Sequence, residues 1–206
     1  MTLLINKPAD LGQYMTVTDA TIEGCGVLLG RVTSRSGERR DLAPSCGNWA
    51  SRWASSANRL HPQIALVMIG AWEVFDLTTE AGTLTFGSAQ WDAHLTTALQ
   101  QGVAALRASG ANVALSLLPC YRPVSASAGF WPERGDDQRT RHVNDILRAV
   151  AAAAPSTVRV IEPPAQFCTD PAIATNLNYR WDGVHYYKPG AQLYFQTVVP
   201  QLLQLA

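Results

Sequence analysis

Gln63-Ile64-Ala65-Leu66-Val67-Met68-Ile69 runs apolar and uncharged into Gly70-Ala71-Trp72-Glu73. A run this short and continuous suits a strand buried on both faces, the environment of a central strand in a parallel sheet. Asn112-Val113-Ala114-Leu115-Ser116-Leu117-Leu118 repeats the pattern and ends in Pro119-Cys120-Tyr121-Arg122. Between the two, Ser88 stands where it can cap a helix. The apolar side chains of that helix, Trp91, Leu95, Leu99, Val103 and Leu106, recur at helical spacing and stop before Gly110. Strand, helix, strand is the unit from which parallel sheets are built.

The flanking sequence extends the alternation. Residues 2–5, 16–22 and 157–161 read as further strands, which makes five with 63–69 and 112–118. Val143, Ile146, Leu147 and Val150 form one face of a helix stopped by Pro155, and a last helix is expected over residues 190–205, kinked at Pro200. The expected fold class is α/β: a three-layer sandwich around a flavodoxin-like, five-stranded parallel sheet. No repeat, low-complexity tract or linker interrupts residues 1–206, so one domain is expected. Two long connections, 26–44 and 121–135, fall outside the regular elements.

Composition narrows the function. The 16 basic and 16 acidic residues cancel, so no net field favours a nucleic acid backbone or an anionic membrane surface. Arg31, Arg35, Arg39 and Arg40 cluster, but Glu38, Asp41 and small polar residues are interleaved with them, as in a solvated loop. No apolar run reaches the roughly 20 residues that span a bilayer, and residues 1–5 are too short for the apolar part of a signal peptide. Cys25, Cys46, Cys120 and Cys168 lack the spacing of a metal site, and no metal or cofactor is required. They can be free thiols or disulfides in any of three connectivities. Cys120 and Cys168 follow neighbouring strands, which favours that pair and leaves Cys25 with Cys46. Disulfides imply an oxidising compartment, in conflict with the missing signal unless the chain belongs to a larger exported protein.

In a doubly wound sheet, ligands bind beyond the carboxyl ends of the strands. There the chain places Glu23-Gly24-Cys25-Gly26, Gly70-Ala71-Trp72-Glu73 and Pro119-Cys120-Tyr121-Arg122, with Trp181-Asp182-Gly183-Val184-His185 before the last helix. Asp182 and His185 are spaced so that the carboxylate can fix the imidazole tautomer, which makes His185 a candidate general base. Tyr121, Arg122, Trp131 and Glu73 are expected at the rim of the site, where they can bind a sugar or an acyl ester. His61, His94 and His142 have no carboxylate at motif spacing. Gly24, Gly26 and Gly30 also resemble a dinucleotide-binding pattern, but the helix and acidic residue that such a pattern needs are missing.

Asp182-Gly183-Val184-His185 followed by Gly190 resembles the last motif block of the SGNH (GDSL-like) hydrolases, which carries their catalytic Asp and His. Gly70-Ala71-Trp72-Glu73-Val74-Phe75-Asp76 stands where that family has Gly-x-Asn-Asp. This tryptophan version is similar to the SGNH domains attached to acyltransferase-3 membrane proteins, and the resemblance covers residues 11–204. It implies that Asp182 and His185 are the catalytic pair, and that Gly24 and Gly70 belong to the oxyanion site. Trp72 replaces the family's asparagine; its indole N–H can donate to the oxyanion, or its ring can wall the pocket. The resemblance also implies a serine ester hydrolase or O-acyltransferase acting on O-acyl esters, commonly of cell-envelope carbohydrate. Its partner is a membrane acyltransferase domain and its location is extracytoplasmic, in the periplasm or at the cell surface.

The chain departs from the family at the first block, Gly-Asp-Ser. It reads Leu4-Ile5-Asn6-Lys7-Pro8-Ala9-Asp10-Leu11-Gly12, which puts Asn6, or Lys7 by a shorter count, in the serine's place. No Ser, Thr or Cys lies between Thr2 and Thr16. An amide is not a nucleophile that His185 can activate. Three explanations stand: a pseudoenzyme that keeps a binding role, an N-terminally truncated enzyme, or direct attack by water with His185 as base.

Overall fold

Described over residues 2–124 and 131–206 in a computed structural model, the chain runs from α1 (Thr2–Ile5) through β1 (Arg31–Thr33), β2 (Arg39–Asp41) and α2 (Trp49–Leu60). There follow β3 (Ile64–Met68), β4 (Asp76–Thr79), β5 (Gly82–Leu84), α3 (Ala89–Arg107) and β6 (Asn112–Ser116). The C-terminal part holds α4 (Asp137–Ala152), β7 (Val158–Ile161), α5 (Gln166–Thr169), α6 (Pro171–Ala174) and α7 (Lys188–Leu203). Short 3-10 turns occupy Leu11–Gln13, Pro44–Cys46 and Pro132–Gly135.

The central strands form where the apolar runs demand them. β6 lies between β3 and β7, parallel to both, with Ile64 opposite Asn112 and Val113 opposite Val158. Side chains alternate along a strand, so β6 feeds two cores. Val113 and Leu115 join a cluster with α2, α3 and α4, while Ala114 joins another with Tyr194, Phe195 and Val198 of α7. Ser116 is a buried polar residue on this strand, and its hydroxyl meets the buried Tyr194 hydroxyl at 2.8 Å.

α3 follows the expected stripe. Ser88 Oγ accepts from the Trp91 backbone N–H at 3.2 Å, and Trp91, Leu95 and Leu99 are buried. Each such side chain stabilises the fold by about 1.5–3 kcal/mol relative to exposure. The Trp91 indole N–H, which would otherwise be stranded in the core, donates to the Phe75 carbonyl at 3.1 Å.

Among the described residues, the expected five-stranded parallel sheet is corrected to three parallel strands beside a separate four-stranded antiparallel sheet, ordered β2-β1-β4-β5. Residues 2–5 are one helical turn that buries Leu3 against the α7 cluster, in keeping with the helix preference of its two leucines. Among the described residues, 16–22 form no strand. There Asp19 accepts from the Thr21 N–H and hydroxyl at 2.9 and 2.7 Å, a local turn that competes with a sheet ladder. Among the described residues β3 is therefore an edge, and Met68 on it is exposed. The antiparallel sheet takes its first two strands from the stretch expected as a solvated loop. Val32 is the buried residue of β1, and β2 is exposed throughout, so apolar periodicity gave no sign of either strand.

Two disulfides tie the loops down. Cys25 and Cys46 are joined with 5.3 Å between Cα atoms, and Cys120 and Cys168, beyond the neighbouring β6 and β7, with 5.0 Å. A non-reduced digest should recover these two pairs and no others. Replacing Cys120 and Cys168 together by Ser should lower the unfolding free energy in urea by about 2–4 kcal/mol; an unchanged midpoint would contradict the pairing.

Candidate active site

The turn that carries Asp182 and His185 is held from several sides. Arg180 pairs with Tyr186 in an isolated antiparallel bridge, and the Gly183 N–H donates to the Arg180 carbonyl at 2.8 Å, which closes the loop between them. Asp182 Oδ1 accepts from the Val184 and His185 N–H groups at 2.9 and 2.7 Å, leaving Oδ2 to the His185 imidazole Nδ1 at 2.6 Å. Burial pushes the Asp182 pKa up, but the imidazole and the two amides outweigh it and hold the carboxyl below its ordinary value. An ionised carboxylate only accepts, so Nδ1 carries the proton and Nε2 is left as the acceptor. The imidazole is 47% exposed and stacks on Trp181, with ring centroids 5.5 Å apart.

Gly183 is what lets the segment after β6 dock here. Its φ is +80°, and a Cβ on it would lie 1.7 Å from the Arg122 carbonyl oxygen. In return the Arg122 N–H donates to the Gly183 carbonyl at 3.0 Å and the Val124 N–H to the Asp182 carbonyl at 3.1 Å. Beneath the turn, the buried Arg180 guanidinium donates to the Cys120 and Ala174 carbonyls at 2.6 and 3.2 Å and lies 4.7 Å from the Phe167 ring centroid. Burial lowers its pKa, as it must for a cation held by neutral groups.

A second fixed point lies at residues 70–73. Glu73 was expected at the rim, and the structure corrects this: it is fully buried. Its two carboxylate oxygens accept from the Val27 and Gly70 N–H groups, each at 2.7 Å. Burial raises its pKa against those amide bonds. A Cβ on Gly26 would come within 2.1 Å of Glu73 Oε1, so the glycine-rich turn after residue 22 can approach only as glycine. Glu73 thus ties the Gly24 loop to the Gly70 loop. Tyr121, also expected at the rim, is buried.

The remaining expected residues fall around these points. Arg122 forms a bidentate pair with Asp137 at 2.7 and 2.9 Å. Trp131 packs edge-on against Phe75. Asn6 ends the α1 turn and its amide donates to the Tyr186 carbonyl at 3.5 Å, adjacent in sequence to His185. Within the loop 121–135, residues 125–130 lie outside the described residues. Two surface cavities of about 310 and 300 Å³ lie elsewhere, at Phe86 and His142 and at Trp49 and Gln101, and neither is lined by His185. His142 does have a carboxylate: Asp92, across from α4 on α3, at 2.7 Å.

Sequence reading missed Arg134. It comes from the 3-10 turn at Pro132–Gly135, is buried, and donates through Nε to the Ala71 carbonyl at 2.7 Å. Burial drives its pKa down to about 10, while Tyr121, Asp182 and Glu73 act the other way, so it lies within electrostatic reach of both loops of the site. A lone arginine in a long polar connection carries no signal that would have singled it out.

With this geometry in view, the family described as SGNH domain (fused to AT3 domains) matches the chain over residues 10–199. The chain belongs to this family. The matched region takes in both the Gly70 loop and the Asp182–His185 turn. An SGNH domain falls within an esterase and acyltransferase type of hydrolase family, and the fusion named for the family sets it in the context of a membrane acyltransferase. No curated protein matches the chain. Among the described residues of this SGNH domain, no helix is long and apolar enough to cross a membrane.

The Asp182 bonds carry a pH signature. Its folded pKa lies below the ordinary 3.8, so on acidification the unfolded chain takes up the proton first. The stabilisation is complete above 3.8 and is lost as pH falls through the lower folded value. Urea denaturation across this range should show wild-type stability falling with acid, and Asp182→Asn should flatten that limb. Parallel pH profiles for the two proteins would contradict the assignment.

Proposed function

We propose that residues 1–206 form one SGNH-type ester hydrolase or O-acyl transfer domain acting on O-acyl esters of cell-envelope carbohydrate, with His185 as general base oriented by Asp182. The observation that carries this reading is the 2.6 Å contact from Asp182 to Nδ1, which leaves Nε2 as the acceptor nitrogen of a half-exposed ring. Nε2 takes the proton from an attacking hydroxyl as the new C–O bond forms at the acyl carbon. It returns that proton to the departing alkoxide, so no net proton is lost. Gly24, Gly70 and Trp72, gathered by Glu73, are the groups we assign to the oxyanion side. The two disulfides support an oxidising, extracytoplasmic setting beside a membrane acyltransferase partner.

The attacking group is the open element. We assign Asn6, whose amide donates to the Tyr186 carbonyl, to the place of the family's serine; an amide is no nucleophile there, so the route left to this chain's own residues is attack by water. A second reading follows from the same observation: a noncatalytic domain that keeps the pocket and binds an acylated glycan or the acyltransferase partner.

Two experiments separate these readings. Acetyl ester hydrolysis by the chain should drop by a factor of about 10²–10⁴ in His185→Ala if the imidazole is the base; equal rates would remove it from the mechanism. Asn6→Ser should be labelled by a fluorophosphonate probe, and adding His185→Ala should abolish the label. An unlabelled Asn6→Ser that still folds would count against the placement of residue 6.

A further inference from the structure

The turn that carries the proposed base also presents an aromatic surface. Arg180 pairs with Tyr186, and the Tyr187 N–H donates to the Tyr179 carbonyl at 2.8 Å. In both arms, 180–182 and 184–187, burial alternates from one residue to the next, as side chains alternate along an extended chain. Arg180, Asp182, Val184 and Tyr186 are buried, whereas Trp181, His185 and Tyr187 are exposed, Trp181 to 50% and Tyr187 to 51%. Of the six tryptophans in the chain, Trp181 is the exposed one. Trp91 shows the contrast, buried and with its indole N–H donated to the Phe75 carbonyl. Among the described residues the Trp181 indole N–H has no acceptor. Its ring meets the His185 imidazole, nearly parallel at 13° with centroids 5.5 Å apart.

A single exposed apolar residue is ordinary on a protein surface. Position is what sets this one apart: it stacks on the proposed base, so a substrate held at His185 lies within one ring's reach of the indole. The face of an indole carries the negative part of its quadrupole. The carbon-bound hydrogens on one side of a pyranose, polarised by the ring's oxygens, form a flat apolar face of the matching sign. Hydroxyls at the pyranose edge accept hydrogen bonds, and the indole N–H is a donor. A flexible alkyl chain offers neither the flat face nor the acceptor, and it gains most from an enclosed slot. Trp181 is open, and neither of the two surface cavities is lined by it.

We propose that Trp181 is the platform on which the sugar ring of the acyl ester stacks, with its indole N–H donating to a sugar hydroxyl. This rests on the reading of the Asp182–His185 turn as an ester site and names the residue that recognises the carbohydrate there. Being exposed, Trp181 can be replaced without opening a cavity in the core.

The test is titration of the nitrogen-15-labelled chain with an acetylated methyl glucopyranoside and, in parallel, with hexyl acetate, followed at the indole N–H resonances. The Trp181 resonance is assigned by its loss in Trp181→Phe. The sugar ester should shift it saturably and leave that of buried Trp91 in place. Trp181→Ala, its fold checked by thermal melting and its binding followed at the backbone amides of residues 181–187, should bind the sugar ester about ten-fold more weakly. No saturable shift, an equal shift with hexyl acetate, or affinity that survives Trp181→Ala would each overturn the proposal. So would a wild-type dimer in sedimentation that Trp181→Ala makes monomeric, since a second copy would then cover the ring. Binding requires no turnover, so the two readings fail separately. Trp181-dependent sugar binding in a chain whose Asn6→Ser variant resists the fluorophosphonate probe upholds the platform and sinks the hydrolase. Labelling without sugar binding does the reverse.

Discussion

The carboxylate of Asp182 is the interaction on which the rest of the site depends. It is buried, yet it accepts from two backbone amides and one imidazole, so its charge is balanced by donors that all lie within three residues. Such a carboxylate fixes a backbone turn and a ring orientation together. The glycine at 183 and the strand-end segment at 122–124 then lock that turn against the parallel sheet. The histidine can be half exposed without being loose, because its position is set by the buried end of the pair.

Glu73 plays the corresponding part on the other side. A fully buried carboxylate in an apolar surround is costly unless its oxygens are met, and here two backbone N–H groups from different loops meet them. Removing the side chain would strand both amides, at about 1–3 kcal/mol each. Arg180 and Arg134 complete the pattern from the cationic side, each donating to backbone carbonyls that no strand or helix satisfies. The loops at the sheet's carboxyl end are therefore organised by buried charges acting on backbone groups, where a regular ladder is absent.

This explains what the sequence could and could not reveal. β3, β6 and β7 were legible because a strand buried on both faces writes a continuous apolar run, and α3 because its stripe repeats at helical spacing. The Asp182–His185 pair was legible because both partners lie on one turn. Residues 2–5 and 16–22 imitated strands with short apolar or β-branched content, but a strand exists only where another chain segment accepts its hydrogen bonds, and among the described residues neither is part of a ladder. β1 and β2 were hidden for the opposite reason: their polar side chains concealed a real ladder with β4. Glu73 and Arg134 act through contacts with residues distant in sequence or through backbone atoms, and neither leaves a spacing pattern.

Asp182 holds the proton of His185 on Nδ1 and leaves Nε2 as the acceptor nitrogen of the ring. Nitrogen-15 NMR of the imidazoles at neutral pH reads this directly. The claim predicts a His185 ring with protonated Nδ1, a strongly downfield proton shared with Asp182, and loss of that signal in Asp182→Asn. A His185 ring protonated on Nε2, with a spectrum unmoved by Asp182→Asn, would contradict it.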